Sequence, residues 1–160
     1  MTSSSLSGQV VGIYFAPQRG EPMLEAKQAH IIPGRGIEGD RYFKSVGTTD
    51  DPQKTGTEIT FIEQEAIDAM RRDGVRISPE QTRRNIITRG ISLNDLVGRE
   101  FMVGASRLRG IRLCEPCDYL ASRTDPRVKQ SMAHRGGLRA DILTDSIIHL
   151  NDPITTPPKE

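Results

Sequence analysis

The apolar residues of this chain come in short runs, separated by closely spaced glycine and proline. Residues 9–15 read as a β-strand stopped by Pro17 and Gly20, and residues 23–32 as a second, stopped by Pro33-Gly34. Residues 58–62 continue the strand pattern. The period then changes: across 63–72, Ala66, Ile67 and Met70 fall at helical spacing, and Gly74 closes the segment. Residues 84–88 predict another strand. Ser92 is placed to begin a short helical turn running to Leu96, with Gly98 beyond it. Residues 101–103 and 107–113 form a hairpin pattern around Gly104-Ala105. Two helices are expected next, over 116–123 with Pro116 in the first turn and over 125–133. Residues 138–143 and 146–150 predict a final hairpin across Thr144-Asp145.

This pattern predicts a mainly β domain with a few short helices (α+β), its strands mixed but mostly antiparallel. Such a set of short strands is best accommodated in a closed or partly closed barrel, because closure removes exposed edges. The length suits one domain, placed at 8–152. Residues 1–7 are Ser/Thr-rich and expected to be disordered; 153–160 are expected to form a flexible Pro-rich tail. The stretch 41–56, with Gly47, Asp50, Asp51 and Pro52, reads as a long mobile loop.

Composition narrows the function. There is no Trp, and only three Tyr and four Phe, so the core must be aliphatic. Lys and Arg number 22 against 21 Asp and Glu, a net charge of +1 that gives no general attraction to nucleic acid or acidic lipid. No run approaches the roughly 20 apolar residues of a membrane helix, and the first residues lack the order of a secretion signal. A cytoplasmic protein with reduced cysteines is the expectation.

Four segments could carry chemistry. The first is Cys114-Glu115-Pro116-Cys117. Such a pair could be half of a zinc site, a redox dithiol, one functional thiolate, or two inert buried thiols. Cys117 is the better placed of the two, since it falls in the first turn of the expected helix, where the thiolate is stabilised. The second is the run Gly34-Arg35-Gly36-Ile37-Glu38-Gly39-Asp40-Arg41, whose glycines mark a tight backbone path or close approach to a ligand, though not at dinucleotide-fingerprint spacing. The third holds Arg83, Arg84, Asn85 and Arg89; its arginines could clamp a phosphate or carboxylate. Read as a strand, it puts Arg83 and Asn85 on one face and Arg84 on the other. The fourth, residues 134–139, brings His134 and Arg139 to either side of a Gly136-Gly137 turn.

In this order the segments resemble the MOSC family, the domain found at the end of molybdenum-cofactor sulfurases and in small stand-alone proteins. Gly36-Ile37-Glu38-Gly39-Asp40-Arg41 is similar to that family's G-[IL]-x-G-D-[RH] motif. Residues 57–70, with Glu63 and Glu65, resemble its central strand–helix segment. Arg84-Asn85 through Ile91 resembles its N-[IL]-x-x-x-G-[ILV] segment, and residues 96–104 its L-x-G-x-x-[FL]-x-[IV]-G stretch. Pro116-Cys117 matches the pair carrying the characteristic cysteine. Gly137-Leu138-Arg139-Ala140 matches the closing G-[LI]-R-A.

The resemblance implies a MOSC-type β-barrel and a link to molybdenum cofactor or to sulfur carried on cysteine. Cys117 would be the catalytic or metal-binding residue. Gly36, Glu38, Gly39, Asp40, Arg41, Arg84, Asn85 and Arg139 would meet the cofactor, molybdopterin. A cysteine desulfurase, a molybdoenzyme or a redox partner would be the protein counterpart, and pyridoxal phosphate is associated with the family as a whole. A molybdenum-dependent reductase of N-hydroxylated compounds, using a separate electron donor, and a non-catalytic protein-binding module are the alternatives. The chain lacks the H-G-G-x-x-[KR]-A-[LVI] segment of longer members, which favours a small carrier over a complete redox enzyme.

Overall fold

The computed structural model describes residues 7–18, 20–43, 56–114, 127, 131–132 and 134–157. In chain order they form β1 (Ser7–Phe15), β2 (Leu24–Ala26), β3 (Gln28–Ile32), β4 (Gly36–Ile37), β5 (Ile59–Glu63), α1 (Gln64–Arg72), β6 (Ile86–Arg89), β7 (Glu100–Val103), β8 (Ser106–Leu113), β9 (Leu138–Ile142), β10 (Ser146–His149) and β11 (Pro153–Thr155). Short 3-10 turns at Pro79–Thr82 and Leu93–Leu96 precede β6 and β7. The expected loop residues 44–55 and most of the two expected helices after Cys114, with Cys117, lie outside the described residues.

The strands form the predicted mixed β-barrel. The sheet runs β11-β7-β8-β9-β5-β6-β1, and pairing of β11 back onto β1 closes it with seven strands. All of these pairs are antiparallel except β5 with β6. Strand β2 extends the sheet from the second half of β1, and β10-β3-β4 form a separate small sheet.

Alternation fills the interior. Ile59 and Phe61 of β5, Leu138, Ala140 and Ile142 of β9, and Phe101, Val103 and Leu108 of β7 and β8 belong to one buried cluster. Phe61 meets Phe101 edge to face, with ring centroids 5.6 Å apart. A second cluster lies outside the barrel wall, where Ala66, Ile67 and Met70 of α1 cover Ile62 and Ile87. The helical spacing of those three residues produces this packing, because it puts them on one stripe. Gly137 shows how tightly the wall closes. It has φ +110°, and a Cβ there would stand 2.0 Å from the carbonyl oxygen of Phe61. Only glycine fits.

Three expectations change. Residues 23–32 form two strands, β2 and β3, with Lys27 between them. The final hairpin does not exist as such: β9 pairs with β8 and β5, whereas β10 crosses to pair with β3. The tail reading also changes, because residues 153–155 are a barrel strand, with Ile154 fully buried between β1 and β7.

Candidate functional site

The glycine-rich run leaves β3 through a turn and enters β4 at Gly36, which has φ +109° and would bring a Cβ within 3.1 Å of the Glu58 carbonyl oxygen. A second turn through Gly39 brings Asp40 inward. Its Oδ1 accepts from the Ala16 amide (3.1 Å) and from Arg41 Nη1 (3.0 Å), and its Oδ2 from the Tyr42 amide (3.3 Å). The Asp40 and Arg41 side chains are only 3% and 6% exposed. Arg41 also reaches the Arg83 carbonyl oxygen (3.5 Å) and lies over the Tyr42 ring. This is a buried ion pair whose further hydrogen bonds go to main chain and to the Met23 sulfur (3.2 Å), an arrangement that fastens a loop. Glu38 turns the other way, exposed beside His30.

The arginine segment is not an alternating strand at its start. Arg83 has φ +62° at the end of a 3-10 turn, and β6 begins only at Ile86. The expected alternation of Arg83, Arg84 and Asn85 therefore does not apply. Arg84 is buried and spends its guanidinium on backbone: Nε donates to the Gly136 carbonyl (2.8 Å) and Nη1 to that of Thr82 (3.3 Å). Asn85 ties three strands together. Its Oδ1 accepts from the amide and hydroxyl of Thr60 (3.1 and 3.0 Å), and its Nδ2 donates to the Tyr14 carbonyl (3.1 Å).

The structure thus brings together Asp40, Arg41, Arg83, Arg84, Asn85 and the Gly136-Gly137 turn, mostly through bonds already satisfied within the protein. The turn also meets the first cysteine: the Cys114 amide donates to the Gly137 carbonyl (2.7 Å), and Cys114 is buried with a free thiol. No group of three His, Cys, Asp or Glu residues suited to a metal ion occurs among the described residues.

Arg139 stands apart from this network. On β9 it faces Thr60 of β5 on one side and Arg112 of β8 on the other. It is half-buried, and its side chain forms no hydrogen bond or ion pair among the described residues. Two arginines directly opposite on neighbouring strands concentrate positive charge, a position that suits an anion. Arg112 escapes sequence reading for a definite reason. Counting by twos from Arg107 points residue 112 inward, but an irregularity between Gly110 and Arg112 resets the alternation and turns Arg112 to the Arg139 side.

Two ionisable groups nearby are shifted. Burial pushes the Glu63 carboxyl up, partly opposed by the Leu93 amide, which donates to it at 2.9 Å. Burial also raises the Tyr14 hydroxyl, helped by the Glu25 and Glu80 carboxylates.

A profile of the MOSC domain matches residues 53–155, well over half of the chain. The chain belongs to the MOSC family. That family is associated with molybdenum cofactor. The match includes Arg84, Asn85, Cys117 and Arg139 but not Gly36–Asp40, which precede it. No curated protein matches the chain. Among solved structures, the YuaD protein of Bacillus subtilis is similar with a TM-score of 0.80 at 16% identity, covering 99% of this chain and 100% of that one. YiiM of Geobacillus stearothermophilus gives a TM-score of 0.67 at 16% identity, covering 94% of this chain and 75% of that one. YiiM of Escherichia coli gives 0.63 at 14% identity, covering 95% and 71%. These likenesses show the MOSC fold across the chain, including the glycine-rich run. Among the described residues no helix is long and apolar enough to cross a membrane.

Proposed function

We propose that this MOSC protein binds molybdenum cofactor, or carries sulfur destined for it, through the thiolate of Cys117. One observation carries the reading. The Arg112–Arg139 pair lies one strand position from Leu113–Leu138, next to Cys114 and Gly137, where the chain runs on toward Cys117. Cys117 follows Cys114 by three residues, so connectivity keeps its Cα within about 11 Å of that of Cys114. A soft thiolate five residues along the chain from Arg112, which faces Arg139, suits a molecule with a soft metal or sulfur at one end and a phosphate at the other.

The residues fit such a cofactor selectively. Arg139, whose side chain makes no hydrogen bond or ion pair among the described residues, would hold the phosphate, with Arg112 opposite it and Thr60 beside it. Arg84, Asn85, Asp40 and Arg41 would instead support the site, since each is engaged by the protein itself. Gly36 and Gly39 would serve the turns that bring Asp40 inward, and Glu38 would stay outside. When bound, the cofactor supplies a molybdenum centre able to exchange ligands. If sulfur is the cargo, the Cys117 thiolate attacks the outer sulfur of a donor persulfide on a cysteine desulfurase. The donor's S–S bond breaks, its cysteine leaves as thiolate, and Cys117 becomes the persulfide.

The test is loading. The protein is incubated anaerobically with molybdenum cofactor and molybdenum is measured per chain; in parallel it is incubated with a desulfurase and cysteine, and cyanide-releasable sulfur is measured. One of the two should approach one equivalent in the wild type and be lost in Cys117→Ser. Arg139→Gln should weaken cofactor loading about tenfold or more, the loss expected for a charge-assisted contact, while sparing sulfur loading. Full loading of Cys117→Ser in both assays would sink the reading.

A further inference from the structure

A second site lies beyond the end of α1, on the far side of the helix from its first turn. There the chain turns back through Gly74 (φ +89°), the Val75 amide returns to the Met70 carbonyl (3.0 Å), and the segment runs extended into the 3-10 turn at Pro79–Thr82. The fold leaves an open cleft of about 750 Å³, lined by Arg71 and Arg76, by Ser78 and Gln81, and by the buried Val75 and Ile77. That is the size range of small-molecule sites.

The chemistry of the lining is one-sided. Among the described residues it contains two guanidinium groups and no carboxylate. Neither the Arg71 nor the Arg76 side chain makes a hydrogen bond or ion pair among the described residues. Gln81 accepts with its Oε1 from the amide and hydroxyl of Ser78 (2.9 and 3.0 Å), which leaves its Nε2 as a donor. The nearby acid is already committed: Asp73 accepts from Ser131 (2.9 Å) and pairs with Arg135. Arg127 donates to the Gly74 carbonyl (2.8 Å), so that acceptor is taken up as well. The helix C-terminus accounts for the two cations of its last turn, Arg71 and Arg72. It does not account for Arg76, which lies outside the helix and shares the cleft with Arg71.

We propose that this cleft binds a small organic anion, a molecule bearing a phosphate or carboxylate on an apolar body. The oxyanion is held by Arg71, Arg76 and the Gln81 amide, and the body rests against the aliphatic stems of the two arginines, since Val75 and Ile77 are themselves packed into the cluster under α1. Arg139, on β9, is not part of the cleft lining.

Titration calorimetry of the full-length chain at low salt, with inorganic phosphate, phenyl phosphate and benzoate as probes, tests this. Saturable binding is expected, tighter for phenyl phosphate than for inorganic phosphate. The Arg71→Gln/Arg76→Gln double variant should lose at least about tenfold in affinity with an unchanged thermal midpoint. Arg107→Gln, on β7's neighbour β8, should bind as wild type. The proposal fails if no probe saturates, if the double variant binds as well as wild type, or if phenyl phosphate binds no better than phosphate.

Discussion

Asp40 and Glu38 are two residues apart in the same glycine-rich run, yet they have opposite surroundings. Asp40 is sealed against Arg41, and Glu38 is 61% exposed at its side chain. Replacing Asp40 with Asn would leave Arg41 a buried cation without its counter-charge, a loss of about 3 kcal/mol. Glu38→Gln should change stability by less than about 0.5 kcal/mol. Urea unfolding of the two variants, read as midpoints at constant slope, checks both; equal midpoints would free the Asp40 pair for a ligand role. The sequence marks this run as special through its glycines, but the direction of each carboxyl depends on partners such as Ala16 and Arg83, which are distant in the chain. A second residue-scale prediction concerns Thr88. Its hydroxyl is fully buried and has no hydrogen-bond partner among the described residues. Thr88→Val keeps the shape and removes the unpaired group, so the variant should be more stable by about 1 kcal/mol, seen as a raised thermal midpoint.

At the scale of elements, what was legible follows from period. Helix α1 is visible because Ala66, Ile67 and Met70 repeat at helical spacing and bury one stripe. Strands β5, β7 and β8 appear within a residue of where their alternation puts them. Pairing is another matter. The pattern across Thr144-Asp145 suits a hairpin, but β10 gains more by joining β3, where Ile148 is buried opposite Ala29. That choice puts Asp145 beside His30 of β3, with Nε2 2.7 Å from its carboxylate, and Glu38 on the ring's other side at 3.6 Å. The hydrogen bond to Asp145, and then the two negative charges, raise the His30 pKa above its ordinary value. Folded His30 therefore holds its proton more tightly than unfolded His30. The added stability is complete below the ordinary histidine pKa of about 6.5 and is lost as pH rises through the folded-state value. Hydrogen exchange of the β3 and β10 amides, corrected for intrinsic rate, should show protection falling across that window in the wild type and flat in His30→Gln.

At the scale of the whole molecule the barrel depends on a strand the sequence disguises. Proline at 153 lacks an amide donor and is followed by more proline, which reads as a tail, but proline is tolerated as the first residue of a strand. Its carbonyl still accepts from the Gly104 amide (2.8 Å), and the preceding residues already run alongside β1 through Val10 to Asp152 and Asn151 to Val10, each at 2.9 Å. Residues at the two ends of the chain thus close the barrel, a contact no local pattern can announce. Ile154 is the apolar residue that β11 contributes to the interior. Ile154→Ala should fold and lose about 3 kcal/mol, the cost of an aliphatic cavity in a core. Deleting residues 153–160 should do more, because it also strips the hydrogen-bonding partners from one edge of β1 and one edge of β7, and open edges invite pairing between chains. Thermal unfolding and sedimentation of the two variants distinguish these effects. The point variant should remain monodisperse with a lowered midpoint, whereas the deletion should aggregate or melt far earlier; a deletion that melts with the full chain would mean the seven-stranded closure contributes nothing to stability.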